Sequence, residues 1–566
     1  VFVSAGDGLE RIDLATGART LVAQAKGPGY YFIEGDVPVD DLQLSPDGRW
    51  LSALVAEQLY VLPRPKPAAT VDVTDVASGA RRLTDMGADY SAWRPDGGID
   101  LSVGPIFQRL SAAQVQAASA APPQTRPLKT LRLVAEAPRA RPTGAILLRS
   151  ARALTMAHGD QVIQEADILV VGDRIAAIGP TGSVAVPPGA TVRDLAGKVV
   201  LPGFVDEHDH IGGLRREVLS LDDWDLKARL AYGVTTSFDP STLTLDALVY
   251  QDLIDAGRML GPRLRSTGPA VFSMNRFHSL DEVRAVLRRY RDAYGLRNLK
   301  EYRTGDRRVR EWVAIACREL GLQPTTEGAL SLKLDLSQVL DGFAGNEHAL
   351  AAQPLGPDIV GLMAQMRTSY ATTEMITHTA PPGADWFVAA EDAEADPKIR
   401  RFWPPWAIEQ KLVSRPWRPL AEYRFAEVGQ GAGALSAAGG LVGMGAHGEV
   451  PGIGFHWEMQ AHVMGGMSPM AVLHAATAGS AETIGRLHDL GTLEPGKFAD
   501  LVILDKDPLA DIRNTRAISA VMRAGFLYDG PTLAELWPQV RPAPAPVGSP
   551  RGEQWLPVDG PPRPAS

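Results

Sequence analysis

The 566-residue sequence predicts an α/β protein built on parallel β/α units, of a size that suits an eightfold TIM-like barrel, with an all-β region before it. Three observations carry this. Beyond residue 201, short apolar runs ending in polar residues alternate with helix-period segments such as "SLDEVRAVLRRYRDAYG" and "DRRVREWVAIACRELG". Up to about residue 130, strand-length runs are separated by turn signals. At 201–213, "LPGFVDEHDHIGG" leads an apolar strand into two histidines, His208 and His210, with acids around them and glycines after.

Composition sets the limits. The length is that of two to four domains, at about 100–200 residues each. Hydrophobic residues make up 45% and charged residues 22%, normal for a globular protein with a large core. The net charge of −9 argues against a nucleic-acid partner. The single cysteine, Cys317, excludes an internal disulfide and reads as packing on the apolar face of "REWVAIACRELG". With no apolar run of about 18 residues, no membrane-spanning helix is expected. The sequence starts at Val1 with strand-like residues and shows no signal peptide, which leaves export undecided.

The elements follow in order. Residues 1–130 read as short strands with turns, and Pro-Asp-Gly recurs at 46–48 and 95–97. That repeat resembles the blades of TolB-like or WD40-like propellers, here two or three blades where a closed ring needs about four to eight, so a partial propeller is expected. The alternative is an unrelated small β-domain. The Ala- and Pro-rich stretch at 111–145 reads as a linker at its centre. From 145 to 200, strand follows short strand. Then "GVTTSFDPS", "RLRSTGPAVF", "NLKEYR", "LQPTTEGA", "GNEHAL" and "GGLVGMGAHGE" each end in polar residues, at the strand ends where parallel barrels carry function. "GTLEPGKFADLVILDKDPLADIRNTRAISAVMRAGFLYDG" returns to strands, and 536–566 is a Pro-rich tail.

The histidine pair is the sharpest local signal. Alternation along a strand sends both imidazoles to one side, which makes either a metal site or an awkward place to bury charge. "LPGFVDEHDHIGG" resembles the opening motif of the amidohydrolase superfamily, and "GTLEPGKFADLVILD" resembles its closing motif. Between them, "LKEYRTGDRRVREW", "TTEGA", "NEHAL", "GAHGEVPGIGFHWEM" and "VLHAATAGSAETIG" are similar to the branch in which a TolB-like propeller precedes the hydrolase domain.

The resemblance covers roughly residues 145–530 and implies a (β/α)8 barrel flanked by a small β-sandwich. The implied domains are propeller blades at 1–130, sandwich strands at 131–200, the barrel at 201–489 and further sandwich strands at 490–535. It implies that His208 and His210 bind one or two divalent ions, zinc first, manganese or iron otherwise. Lys300 becomes a ligand, bridging two metals if carboxylated. Glu327 becomes a metal ligand or a substrate-facing carboxylate, and His348 a further ligand. At the eighth strand the usual aspartate is replaced by His447, a candidate ligand and base, with Glu449 or Glu458 able to supply a carboxylate. Asp239 either positions groups near the metal or starts a turn. A role behind the ligands or towards substrate suits His456 and Glu458, and packing suits His462 and His474. "THTAPPGADWF" and "RFWPPW" read as packing more than as substrate contacts.

The expected activity is metal-dependent hydrolysis of an amide or cyclic amide C–N bond in a small or peptide-like molecule, prolidase-like or imidazolonepropionase-like. The alternatives are an ester hydrolase and a non-catalytic scaffold with a degenerate barrel. TolB-like proteins are commonly periplasmic, which points to a periplasmic or secreted location, though a cytoplasmic one is compatible. A homo-oligomer is also compatible.

Overall fold

The computed structural model describes residues 1–547 apart from 6–7, 29–34, 67–68, 118–128, 213–219, 243, 273–274, 329–330, 377–379, 415 and 417. The centre of the predicted linker, part of "THTAPPGADWF" and most of the Pro-rich tail therefore lie outside the described residues. The chain is a mixed α/β fold that divides into two compact units, Val1–Glu136 with Ala270–Pro324, and Ala137–Pro269 with Thr325–Ser566.

In the first unit the early described residues form two antiparallel sheets of four strands and a five-stranded sheet that is antiparallel apart from one parallel pair, Arg19–Pro28 with Thr70–Asp72. The two Pro-Asp-Gly signals are hairpin turns, the first joining Asp41–Leu44 to Trp50–Val55 and the second joining Tyr90–Trp93 to Ile99–Val103. Gly48 and Gly97 take φ of +70° and +81°, where only glycine is unstrained. Residues 270–324 belong to this unit, although the sequence places them within one continuous barrel domain. The reason is side-chain pairing over long separations. The buried Arg289 guanidinium meets the Glu57 carboxylate and donates to the Met86 carbonyl at 2.8 Å, and the Tyr294 hydroxyl donates to Asp89. Cys317 is buried on its helix, as its apolar surroundings predict.

The parallel strands referred to below are β1 (Phe204–Asp206), β2 (Val234–Asp239), β3 (Arg263–Ser266), β4 (Asn298–Tyr302), β5 (Gln323–Thr326), β6 (Gly345–Glu347), β7 (Ser369–Ala371) and β8 (Val442–Gly443). Three helices are used below: α1 (Trp224–Ala231), α2 (Pro405–Ser414) and α3 (Ile453–Met464). In the second unit β1 pairs in parallel with β2 and β2 with β3, while β5 through β8 pair in parallel in order. The two runs meet where Glu207 N donates to Met444 O at 3.0 Å and His447 N to His208 O at 2.7 Å. The first and last strands thus lie side by side, and the residues after them share one place. In the first unit β4 pairs in parallel with Val271–Phe272.

Strands from both flanks of this parallel array share one nine-stranded sheet. Val199–Pro202 pairs antiparallel with Leu501–Leu504, Val199 opposite Leu504. Period-two alternation divides its side chains between two cores. Leu501 and Ile503 pack with Ile146, Leu148 and Met522, whereas Val502 and Leu504 pack with Phe204, Val234 and Val521 beneath the parallel strands. Among the described residues, no helix is long and apolar enough to cross a membrane.

Candidate metal centre

Alternation past β1 sends His208 and His210 to one side and Glu207 and Asp209 to the other. Asp209 is anchored by a bidentate pair from α1, Arg229 Nε and Nη2 each donating at 2.6 Å, with both side chains 1% exposed. Asp206 accepts from Ala446 N at 3.0 Å and from His208 N at 3.4 Å, tying β1 to the segment after β8. Burial, reinforced by the nearby Asp209 charge, raises the Asp206 carboxyl well above the usual range. Glu207 is raised likewise by burial, then by Glu347 and Asp206. It lies across Gly443, where an added Cβ would fall 1.9 Å from Glu207 Oε1.

Four histidines gather here. Ring centroids lie 5.0 Å apart for His208 and His210, 4.7 Å for His208 and His348, and 4.6 Å for His210 and His447. His208, His210 and His447 can each offer a nitrogen within 4.8 Å of the others. Each ring has a carboxylate beside it. His208 Nδ1 faces Glu347 Oε2 at 2.5 Å, and His210 Nδ1 faces Asp239 Oδ1 at 3.1 Å. His447 Nδ1 faces Glu449 Oε1 at 3.4 Å, and His348 Nε2 faces Glu327 Oε2 at 3.1 Å. Glu449 also accepts from Lys411 Nζ on α2 at 2.9 Å. Burial works to raise this carboxyl, but the hydrogen bond to His447 and the Lys411 charge outweigh it, and it falls to about 2.

The donor set can be tested against a metal on this geometry. With Nδ1 of His208 and of His210 each donating to a carboxylate, each Nε2 carries a lone pair. The two Nε2 atoms stand 3.3 Å apart. Lone pairs facing each other so closely repel unless a cation or a proton lies between them. Neutral imidazoles backed by carboxylates are the donors a borderline divalent ion takes. The residues therefore fit a metal.

Of the residues singled out in the sequence, His208, His210, His348, His447, Glu327 and Asp239 come together, the two carboxylates each facing a histidine. Lys300 belongs to the first unit, buried on β4 with Nζ 5.0 Å from the Tyr302 ring centroid. A catalytic role for Glu458 does not suit its surroundings. It is fully buried in α3 and accepts from the backbone N–H groups of Glu374 and Met375 at 2.8 and 3.0 Å. His456 is buried between the Tyr232 carbonyl and the Thr515 hydroxyl, and His462 between the Glu458 carbonyl and the Thr372 hydroxyl, so both serve packing. His474 is exposed and pairs with Asp160.

Sequence reasoning missed Glu347, Lys411 and Thr373, whose hydroxyl lies 2.5 Å from His348 Nδ1. Alternation would turn Glu347 away from its neighbour His348. Instead His348 takes φ of +70°, and both residues reach His208. His447 also stands at positive φ, +63°. Left-handed backbone at two non-glycine residues of one site is a signature of functional constraint that no sequence spacing reveals.

Residues 438–527 match the profile of the amidohydrolase family. The chain is 26% identical over 395 residues to an imidazolonepropionase of Deinococcus radiodurans, across 65% of this chain and 94% of that protein. It is 25% identical over 384 residues to a 5-methylthioadenosine/S-adenosylhomocysteine deaminase of Pelotomaculum thermopropionicum, across 64% and 84%. Among solved structures, a Xaa-Pro dipeptidase with methionine bound in its active site superposes with a TM-score of 0.52 at 19% identity, across 68% of this chain and all of that one. That last likeness is one of fold.

Proposed function

We propose that the chain is a member of the amidohydrolase superfamily and a metal-dependent hydrolase of an amide or cyclic amide C–N bond in a small molecule. One observation carries the metal part: the Nε2 atoms of His208 and His210 face each other at 3.3 Å while carboxylates occupy both Nδ1 atoms. Similarity to an imidazolonepropionase along nearly its whole length supports the C–N part. The order of the parallel strands, with first beside last, supports an eightfold barrel as the frame.

In this reading His208 and His210 hold the ion, with the His348–Glu327 pair beside them. A divalent ion there, zinc first, supplies a Lewis acid that acidifies water and polarises a carbonyl. The chain supplies the rest. Glu347 and Asp239 fix the imidazoles of His208 and His210 with their Nε2 lone pairs turned inward. His447 stands in for the usual aspartate. Its Nδ1 is held by Glu449, itself fixed by Lys411, so Nε2 is free to take the proton of the attacking water and return it to the leaving nitrogen.

Elemental analysis of the purified protein beside the His208→Ala/His210→Ala double variant tests this first. The expected result is about one or two equivalents of zinc, manganese or iron, lost in the variant. A wild-type protein that stays metal-free after reconstitution overturns the hydrolase reading. Dipeptides, acyl-prolines and cyclic amides are the substrates to screen next.

A further inference from the structure

Glu458 is wholly buried in the middle of α3, and the chemistry assigned above makes no use of it. Its carboxylate is devoted to one short segment. Oε1 accepts from Glu374 N at 2.8 Å and lies 3.2 Å from the Thr372 hydroxyl, and Oε2 accepts from Met375 N at 3.0 Å. The segment follows β7 and opens the 3-10 turn Glu374–Ile376. A carboxylate on another element thus caps the first free N–H groups of that turn.

Thr373 sits inside the segment so pinned, at φ of +49°, a conformation unfavourable for a β-branched residue. Its hydroxyl donates to the Thr372 carbonyl at 2.8 Å and lies 2.5 Å from His348 Nδ1. A hydroxyl has one hydrogen, so one that donates to Thr372 can only accept from His348. His348 then carries a hydrogen on Nδ1, and Nε2 faces Glu327 Oε2 at 3.1 Å, a lone pair against a carboxylate unless a cation or a second hydrogen lies between them.

We propose that Glu458 is a positioning residue for His348. By pinning Thr372–Met375 it holds the Thr373 hydroxyl against Nδ1, and so fixes the tautomer and direction of that imidazole. The functional meaning rests on the metal reading, but the relay of hydrogen bonds can be read without metal.

Nitrogen NMR of metal-free protein labelled with ¹⁵N-histidine tests it, with His348 assigned from the His348→Gln spectrum. The wild type should show a hydrogen on His348 Nδ1. Thr373→Val, which keeps the shape and removes the acceptor, should leave the hydrogen on Nε2 alone, where the Glu327 carboxylate accepts it, and Thr373→Ser should restore it to Nδ1. Glu458→Gln, whose amide must turn NH2 towards one of the backbone donors, should shift His348 the same way. It should add nothing in the Thr373→Val background. If Glu458→Gln does not fold, Glu458→Asp, which withdraws the oxygens by one methylene, is read with the same expectation. In the reconstituted protein, zinc affinity by chelator competition should fall ~10–100-fold in Thr373→Val and in the Glu458 variant, again without addition.

A Glu458 variant that lowers the melting temperature but leaves the His348 nitrogens unmoved overturns the proposal, as do additive effects. If the wild type takes up no zinc yet the tautomer responds, only the metal reading falls. If zinc binds and the tautomer does not respond, only the positioning role falls.

Discussion

His348 and His447 occupy left-handed backbone at φ of +70° and +63°, at a cost of about 1–2 kcal/mol each for a residue with a Cβ. The surrounding hydrogen bonds must offset this, and at His447 they run through Glu449 to Lys411. Glu449→Gln should therefore lower kcat ~10–100-fold, with KM and metal content little changed. Steady-state kinetics beside elemental analysis decides this. An unchanged kcat would mean that Glu449 does not orient the base. At this scale the sequence was half readable. His208 and His210 declare themselves by spacing and His348 by its place in "NEHAL". Glu347 stays hidden because strand alternation assigns it the opposite face, and only the twist at His348 undoes that.

Close approach and burial govern the elements. After β8 the chain passes so near β1 that a Cβ on Gly445 would lie 2.4 Å from the Cβ of His208. Gly445→Ala should displace His208, cost about 1–3 kcal/mol of stability and abolish metal uptake. Gly361, exposed inside the helix Pro357–Met366 with open space about it, is the control. Gly361→Ala should gain about 0.5–1 kcal/mol and leave metal binding intact. Thermal melts and metal analysis on the two variants separate the effects.

Helix α3 carries a pH dependence. Burial lowers His456 to about 3 and His462 to about 4, below the 6.5 of a free imidazole. Between those values the unfolded chain binds protons that the folded one refuses, so stability falls as pH drops below 6.5. Burial raises Glu458 from 4.5 to about 7, so the folded chain binds the extra proton in that window, which offsets part of the loss. His456→Gln should flatten the decline of melting temperature between pH 6.5 and 4.5. An unchanged slope would show that His456 takes no part. The strands and helices of this region were legible from periodicity. That most of α3 is buried was not, since its polar residues find partners only in the tertiary structure.

For the whole molecule, the alternation of strand and helix was legible, whereas the division into units was not. Residues 270–324 read as barrel, yet they group with the N-terminal sheets through Arg289 and Glu57, a pairing that spans 232 residues. A fragment of residues 137–566 would leave that buried guanidinium without its carboxylate, at a cost of about 3–5 kcal/mol. Such a fragment should be insoluble or melt well below the full chain, and equal melting temperatures would show the N-terminal sheets to be dispensable. The pairing of Val199 with Leu504 has a kinetic consequence. A contact between such distant positions cannot form early, because the long loop between them must first be closed. During synthesis the sheet strands before β1 wait, edges open, until the ribosome has released their partners near residue 504. Refolding from denaturant should accordingly be slow and lose yield as protein concentration rises, with a chaperone that shields open strand edges restoring it.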